Sequence, residues 1–168
     1  MTDWRRERSR NGGADEIPLP VDTGGLWLCG KHFIGPDPEL ALEKTGATTV
    51  VCLSQRREIE DRFPHYVEWL RTDPRAIWFP VPDLHAPELD AVLPVLAQLR
   101  AHLANGEVLL VHCGAGIGRA GTIAAALLIT LGTPLADAVA IVAANRPMAG
   151  PEAGAQRALL ERLAHESS

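Results

Sequence analysis

The 168 residues include only three cysteines, Cys29, Cys52 and Cys113, an odd number with no metal-type spacing. That excludes a disulfide framework and a zinc ribbon. It suits a reducing compartment, so the chain is expected to be cytoplasmic, and no zinc site is apparent. Long hydrophobic runs are missing too: the longest apolar stretch, around Ile123 to Leu131, is too short to span a bilayer. No hydrophobic signal region follows the charged amino terminus, and no membrane association is expected. Positive charge is in short supply. A net charge of −5 and a pI near 5.6 argue against a nucleic-acid partner, because phosphate backbones select basic surfaces. With 46% hydrophobic residues, the length suffices for one well-buried core and is short for two.

What is present is concentrated in Glu107 to Leu131, EVLLVHCGAGIGRAGTIAAALLITL. After the turn signal Asn105-Gly106, the run Val108, Leu109, Leu110, Val111 reads as a buried strand. Gly114, Gly116 and Gly118 mark a tight loop, and an alanine-rich helix follows. A loop between a buried strand and a helix amino terminus turns several backbone N–H groups toward one point, and the helix dipole adds to them. Such a place binds an anion. Cys113 ends the strand and Arg119 follows the loop, placing a sulfur below the anion and a guanidinium fork beside it. Helix terminus, amides and guanidinium all favour the thiolate, which is the nucleophilic form. Arg119 offers paired donors for two phosphate oxygens.

His112-Cys113-x5-Arg119 resembles the HCxxGxxR signature of cysteine-dependent protein tyrosine and dual-specificity phosphatases. The resemblance implies Cys113 as nucleophile, Arg119 as clamp, and the amides of Gly114, Ala115, Gly116, Ile117 and Gly118 as phosphate cradle. It implies His112 as a residue that orients the cysteine. One position departs from the family, which usually has Ser or Thr after the arginine, where this chain has Ala120. The family hydroxyl hydrogen-bonds the thiolate as it leaves phosphorus. Thr122 is the nearest hydroxyl along the chain that can stand in.

Elsewhere, residues 1–16 are charged and nearly free of apolar spacing, which reads as a disordered tail before a catalytic domain of 17–168. Arg5, Arg6, Arg8 and Arg10 in it are available to an anionic partner. Leu26 to Cys29 reads as a first strand, and Pro36-Asp37-Pro38 as the start of a helix to about Lys44, stopped by Gly46. Thr48 to Ser54 reads as a second strand, with Cys52 packed inside it. Arg56 and Arg57 follow at a strand's carboxyl end, where α/β sheets place their crevice, though an exposed charged turn explains them as well. A helix interrupted by Pro64 comes next, with Tyr66 and Trp69 packing on the sheet.

Ala76 to Val81 reads as a third strand, ending in Pro82-Asp83. A carboxylate on a loop after a strand can be held over the cradle, and the family's general-acid loop assigns Asp83 to proton delivery. Pro87 to Ala104 has helical spacing with Pro94 inside it, and two further amphipathic helices cover Pro134 to Ala144 and Glu152 to Ala164. The loop from Asn145 to Pro151, between those last helices, resembles one that borders the active site in dual-specificity phosphatases. Arg146 and Gln156 are therefore candidates for substrate and water contacts.

Strands alternating with helices predict an α/β domain, with a largely parallel central sheet flanked by helices on both faces. The resemblance implies phosphomonoester hydrolysis on a phosphorylated protein partner, with no metal or other cofactor. A loop holding Gly114, Ala115 and Ile117 rather than lysines makes a phosphoinositide substrate the weaker reading. A phosphate-binding recognition module without turnover, signalled by Ala120, stays open, as does the oligomeric state.

Overall fold

A computed structural model describes residues 13–166. The apolar runs become the strands β1 (Ala14–Glu16), β2 (Gly25–Gly30), β3 (Thr49–Cys52), β4 (Ala76–Trp78) and β5 (Val108–Cys113). They form one sheet in the order β1-β2-β5-β3-β4. Every pair from β2 to β4 is parallel, and β1 adds an antiparallel edge. The strand that ends in Cys113 is thus the centre of the sheet, with β2 and β3 on its two sides.

Among the described residues the helices are α1 (Lys31–Ile34), α2 (Pro38–Thr45), α3 (Arg56–Ile59), α4 (Pro64–Thr72), α5 (Leu89–Ala104), α6 (Gly118–Thr130), α7 (Leu135–Asn145) and α8 (Gly154–Glu166). They cover both faces, because alternate residues of a strand point to opposite sides. Leu109, Val111 and Cys113 join one core with α5, α6, α7 and α8, while Leu110 joins a second with α2 and α4. Each fully buried leucine of β5 contributes about 1.5–3 kcal/mol, so the strand that presents the cysteine is anchored from two directions. This is the expected α/β architecture.

Local chemistry sets the boundaries. The Asp37 carboxylate accepts the Leu40 N–H at 3.1 Å, Pro38 occupies the first turn, and Gly46 ends α2 at φ 73°. The interruption expected at Pro64 separates α3 from α4, with the proline at the start of the new helix. β4 stops at Trp78, short of the expected Val81, because Pro80 has no N–H to give a ladder. The segment still tracks β3: Phe79 N–H donates to Cys52 O and Val81 N–H to Leu53 O, both at 2.9 Å.

Folded structure begins before the position predicted from the sequence. Ala14, Asp15 and Glu16, inside the expected tail, pair with Cys29, Leu28 and Trp27 of β2. A short polar strand has no apolar period to reveal it, and the open edge of β2 supplies its order. The remainder of the expected tail, residues 1–12 with its arginines, lies outside the described residues. Among the described residues no helix is long and apolar enough to cross a membrane.

Candidate active site

The loop after β5 is held entirely from outside. Gly114 O accepts from Lys31 N–H at 2.9 Å, and Ile117 O from Gly121 and Gly150 N–H at 3.0 and 3.1 Å. Ala115 O and Gly116 O accept from the Arg146 guanidinium at 2.9 and 2.8 Å, and Gly118 O from the Thr122 hydroxyl at 2.7 Å. Every carbonyl from Gly114 to Gly118 is therefore spent on the surroundings. None of the N–H groups of the same residues has a backbone partner among the described residues. A closely packed loop with satisfied acceptors and unspent donors is arranged for an anion. Gly116 makes the tightest bend, at φ 74°, and a Cβ there would overlap the Cys29 carbonyl of β2.

Cys113 is buried at the end of β5, within electrostatic reach of Arg119 in the first turn of α6. Only 4% of the Arg119 side chain is exposed. Its Nη1 donates to Glu58 Oε2 and to Val81 O, both at 2.8 Å, and its Nη2 to Glu58 Oε1 at 2.7 Å. Its Nε is buried and unbonded among the described residues. The guanidinium is thus clamped on one side and has a donor to spare.

Glu58 is not among the residues expected from the sequence, which singles out its neighbours Arg56 and Arg57. Burial opposes the Glu58 charge, yet the Arg119 fork and the Gln55 N–H, at 2.7 Å, hold its carboxyl below the usual carboxylate range. Its signal was Gln55-x-x-Glu58, the spacing of a capping residue and its partner just after a strand. Arg56 is exposed and pairs with Glu60 at 3.0 Å, and Arg57 is exposed, so both are surface charges.

Asp83 lies beside Arg119, with 73% of its side chain exposed and Oδ1 at 3.6 Å from Arg119 Nη2. Its loop is tied at both ends, through Val81 O to Arg119 and through His85 O to Gln156 Nε2 at 3.1 Å. Between the ties a turn closes from His85 N–H to Pro82 O at 3.0 Å, and Leu84 takes φ 63°, strained for a leucine. Gln156 is buried, and its Oε1 accepts the Glu152 N–H at 2.7 Å, so it links the acidic loop to the start of α8.

His112 points to the opposite face of the sheet from Cys113. Its Nδ1 lies 3.2 Å from Cys113 O and its Nε2 2.5 Å from the Tyr66 hydroxyl. Burial pushes its pKa down to about 4, so the ring is neutral. Of the neutral tautomers, the one that donates from Nδ1 to the carbonyl and accepts the Tyr66 O–H at Nε2 satisfies both contacts. The pair fixes the peptide next to the sulfur. Burial pushes the Cys52 thiol up to about 12 and the Cys29 thiol higher still, which leaves both as apolar packing groups.

Ala120 is fully buried on the Cys113 side of the sheet. The Thr122 hydroxyl already donates to Gly118 O. Arg146, proposed from sequence as a substrate contact, is buried behind the loop, where it bonds the carbonyls of Ala115 and Gly116.

Comparison with known proteins follows this geometry. No curated protein sequence matches significantly. Among solved structures, Tk-PTP in its active form aligns at TM-score 0.67 and 24% identity, over 86% of this chain and 93% of that one. Human DUSP28 aligns at 0.66 and 24%, over 84% and 88%. Kinase-associated phosphatase with serine in place of its catalytic cysteine aligns at 0.76 and 19%, over 92% and 95%. PTPMT1 in complex with PI(5)P aligns at 0.69 and 20%, over 84% and 91%. At these identities the likeness carries the fold alone. A family model described as Swiss Army Knife protein, DSP-PTPase phosphatase domain, matches residues 36–165. That span takes in α2 through α8 with the whole Cys113 loop, and the chain accordingly belongs to this DSP-PTPase family as a phosphatase of the protein-tyrosine/dual-specificity class.

Proposed function

We propose that the protein hydrolyses phosphotyrosine, phosphoserine and phosphothreonine esters of proteins in two metal-independent steps through a phosphocysteine. The reading rests above all on the loop from Gly114 to Gly118, whose carbonyls are all bonded outward and whose amides are unspent beside Cys113. In the first step the Cys113 thiolate attacks phosphorus in line. The bond to the leaving oxygen breaks, and Asp83 gives that oxygen its proton. The loop amides and the free Nε of Arg119 carry the charge on the equatorial oxygens. In the second step ionised Asp83 takes a proton from water, the water oxygen bonds to phosphorus, and the sulfur leaves as thiolate with release of phosphate.

Steady-state hydrolysis of an aryl phosphate, a panel of phosphopeptides and a phosphoinositide, all in EDTA, tests this. Turnover of the phosphopeptides without metal is the expected result, and turnover confined to the lipid would overturn the substrate class. Phosphate binding without any turnover would favour a recognition module instead. The observation favouring that second reading is Ala120 together with Thr122, whose hydroxyl is committed to Gly118 O.

These two residues also set an expectation for the enzyme itself. With no hydroxyl to donate to the departing thiolate, breakdown of phosphocysteine should be slower than its formation. A hydrogen bond to a charged group is worth roughly 1.5–3 kcal/mol, or about 10- to 100-fold in that step. Wild type should release a burst of leaving group, then turn over slowly, with phosphocysteine trapped by acid quench. Ala120→Ser should shrink the burst and raise the steady rate. An unchanged rate in that variant, with slower breakdown in Thr122→Ala, would assign the role to Thr122.

A further inference from the structure

The carbonyls of the loop are bonded outward, and one side chain holds two adjacent ones. Arg146 Nε donates to Gly116 O at 2.8 Å and its Nη2 to Ala115 O at 2.9 Å. Those are the peptides whose N–H groups belong to Gly116 and Ile117, at the bend of the loop. A peptide is a rigid plane, so fixing its oxygen outside fixes its N–H inside. The remaining Nη1 donates to Asp15 Oδ2 at 2.8 Å and to Gly13 O at 3.3 Å. Of the two side chains in this ion pair, only 4% and 13% of their surface is exposed.

Asp15 belongs to β1, the antiparallel edge strand, and pairs with Leu28 of β2. The next residue of β2, Cys29, is the one whose carbonyl Gly116 presses against. Strand edge, guanidinium and loop bend therefore form one stack. Asp15 holds one nitrogen of the guanidinium, and its other two nitrogens hold two adjacent carbonyls of the loop.

We infer that Asp15, acting through Arg146, is a positioning residue of the phosphate cradle, and that the amino-terminal strand is part of the catalytic apparatus. The inference rests on the proposed use of the loop as an oxyanion cradle. It differs in sign from a simple charge argument. Removing a carboxylate adds net positive charge behind the loop, which by itself would tighten every anion. Loss of positioning weakens the anion that uses the donors most, a five-coordinate one resembling the transition state.

The test is Asp15→Asn in the full chain, read by kcat on an aryl phosphate and by calorimetric affinity for vanadate and for inorganic phosphate. Vanadate stands in for five-coordinate phosphorus and phosphate for the ground state. The expected result is a fall of about 10-fold in kcat and in vanadate affinity, with phosphate affinity moving less than about 3-fold. Arg146→Lys should fall further, since one ammonium does not reproduce a planar fork across two carbonyls and a carboxylate. If Asp15→Asn does not fold, Asp15→Glu keeps the charge on a longer arm and should move vanadate in the same direction by less. A lowered melting temperature with kcat and the vanadate-to-phosphate ratio unchanged would overturn the inference, as would tighter binding of both anions. Binding is read without turnover, so an inactive wild type would strike the proposed reaction while an unchanged ratio would strike this inference.

Discussion

Cys113→Ser is expected to remove turnover, by on the order of 10⁴-fold or more, while keeping phosphate affinity within a few-fold of wild type. The substitution changes the chemistry at nearly constant shape. The serine oxygen is smaller than sulfur and stays protonated where a thiol ionises, so the nucleophile disappears and the cradle does not. The carbonyl ties of the loop reach Lys31, Arg146, Gly121, Gly150 and Thr122, none of which involves the Cys113 side chain. Arg119 likewise keeps Glu58 and Val81 as anchors. Calorimetry with inorganic phosphate and a burst assay on the same preparation separate the two properties. Retention of more than about 1% of wild-type turnover would take the nucleophile's role away from Cys113. Joint loss of turnover and phosphate affinity would mean that the substitution had disturbed the cradle rather than its chemistry.

How far the sequence could be read follows from the distance over which its signals act. Strand, loop and helix around Cys113 are consecutive, and their apolar run, glycines and alanine-rich helix express the local conformations directly. The largely parallel character of the sheet is legible, though not its strand order, because alternating strands and helices favour a parallel sheet. Three partners of the site residues are not legible, since they arrive from elsewhere in the chain and share no motif with them. Glu58 stands 61 positions from Arg119, Tyr66 46 positions from His112, and Asp15 131 positions from Arg146. No periodicity links such pairs. For Asp15 the local signal pointed the wrong way, because a polar stretch without apolar spacing reads as tail until a neighbouring strand edge pairs with it. Arg146 was singled out for a real reason, its loop beside the site, but composition does not tell whether a guanidinium approaches a phosphate loop from the front or from behind.

Asp83→Asn is expected to lower hydrolysis of alkyl phosphates by about 10²- to 10⁴-fold and to affect an activated aryl phosphate much less. An alkoxide leaves poorly unless it is protonated as the bond to phosphorus breaks, whereas a nitrophenolate leaves without help. Two carboxylates lie near the Arg119 fork, and their surroundings differ. Glu58 spends both oxygens on Arg119, one of them also on the Gln55 N–H, and is held below the usual carboxylate range, so it is an anchor with no proton to give. Asp83 is largely exposed on a strained turn, 3.6 Å from the guanidinium. Its Oδ1 accepts the neighbouring Leu84 N–H at 3.0 Å, which the asparagine amide oxygen can also do. The variant should therefore keep the turn, the Val81 and Gln156 ties and the cradle while lacking the acid. A plot of rate against leaving-group basicity should steepen relative to wild type. A parallel drop for every leaving group would mean that Asp83 shapes the loop and that the proton comes from another group.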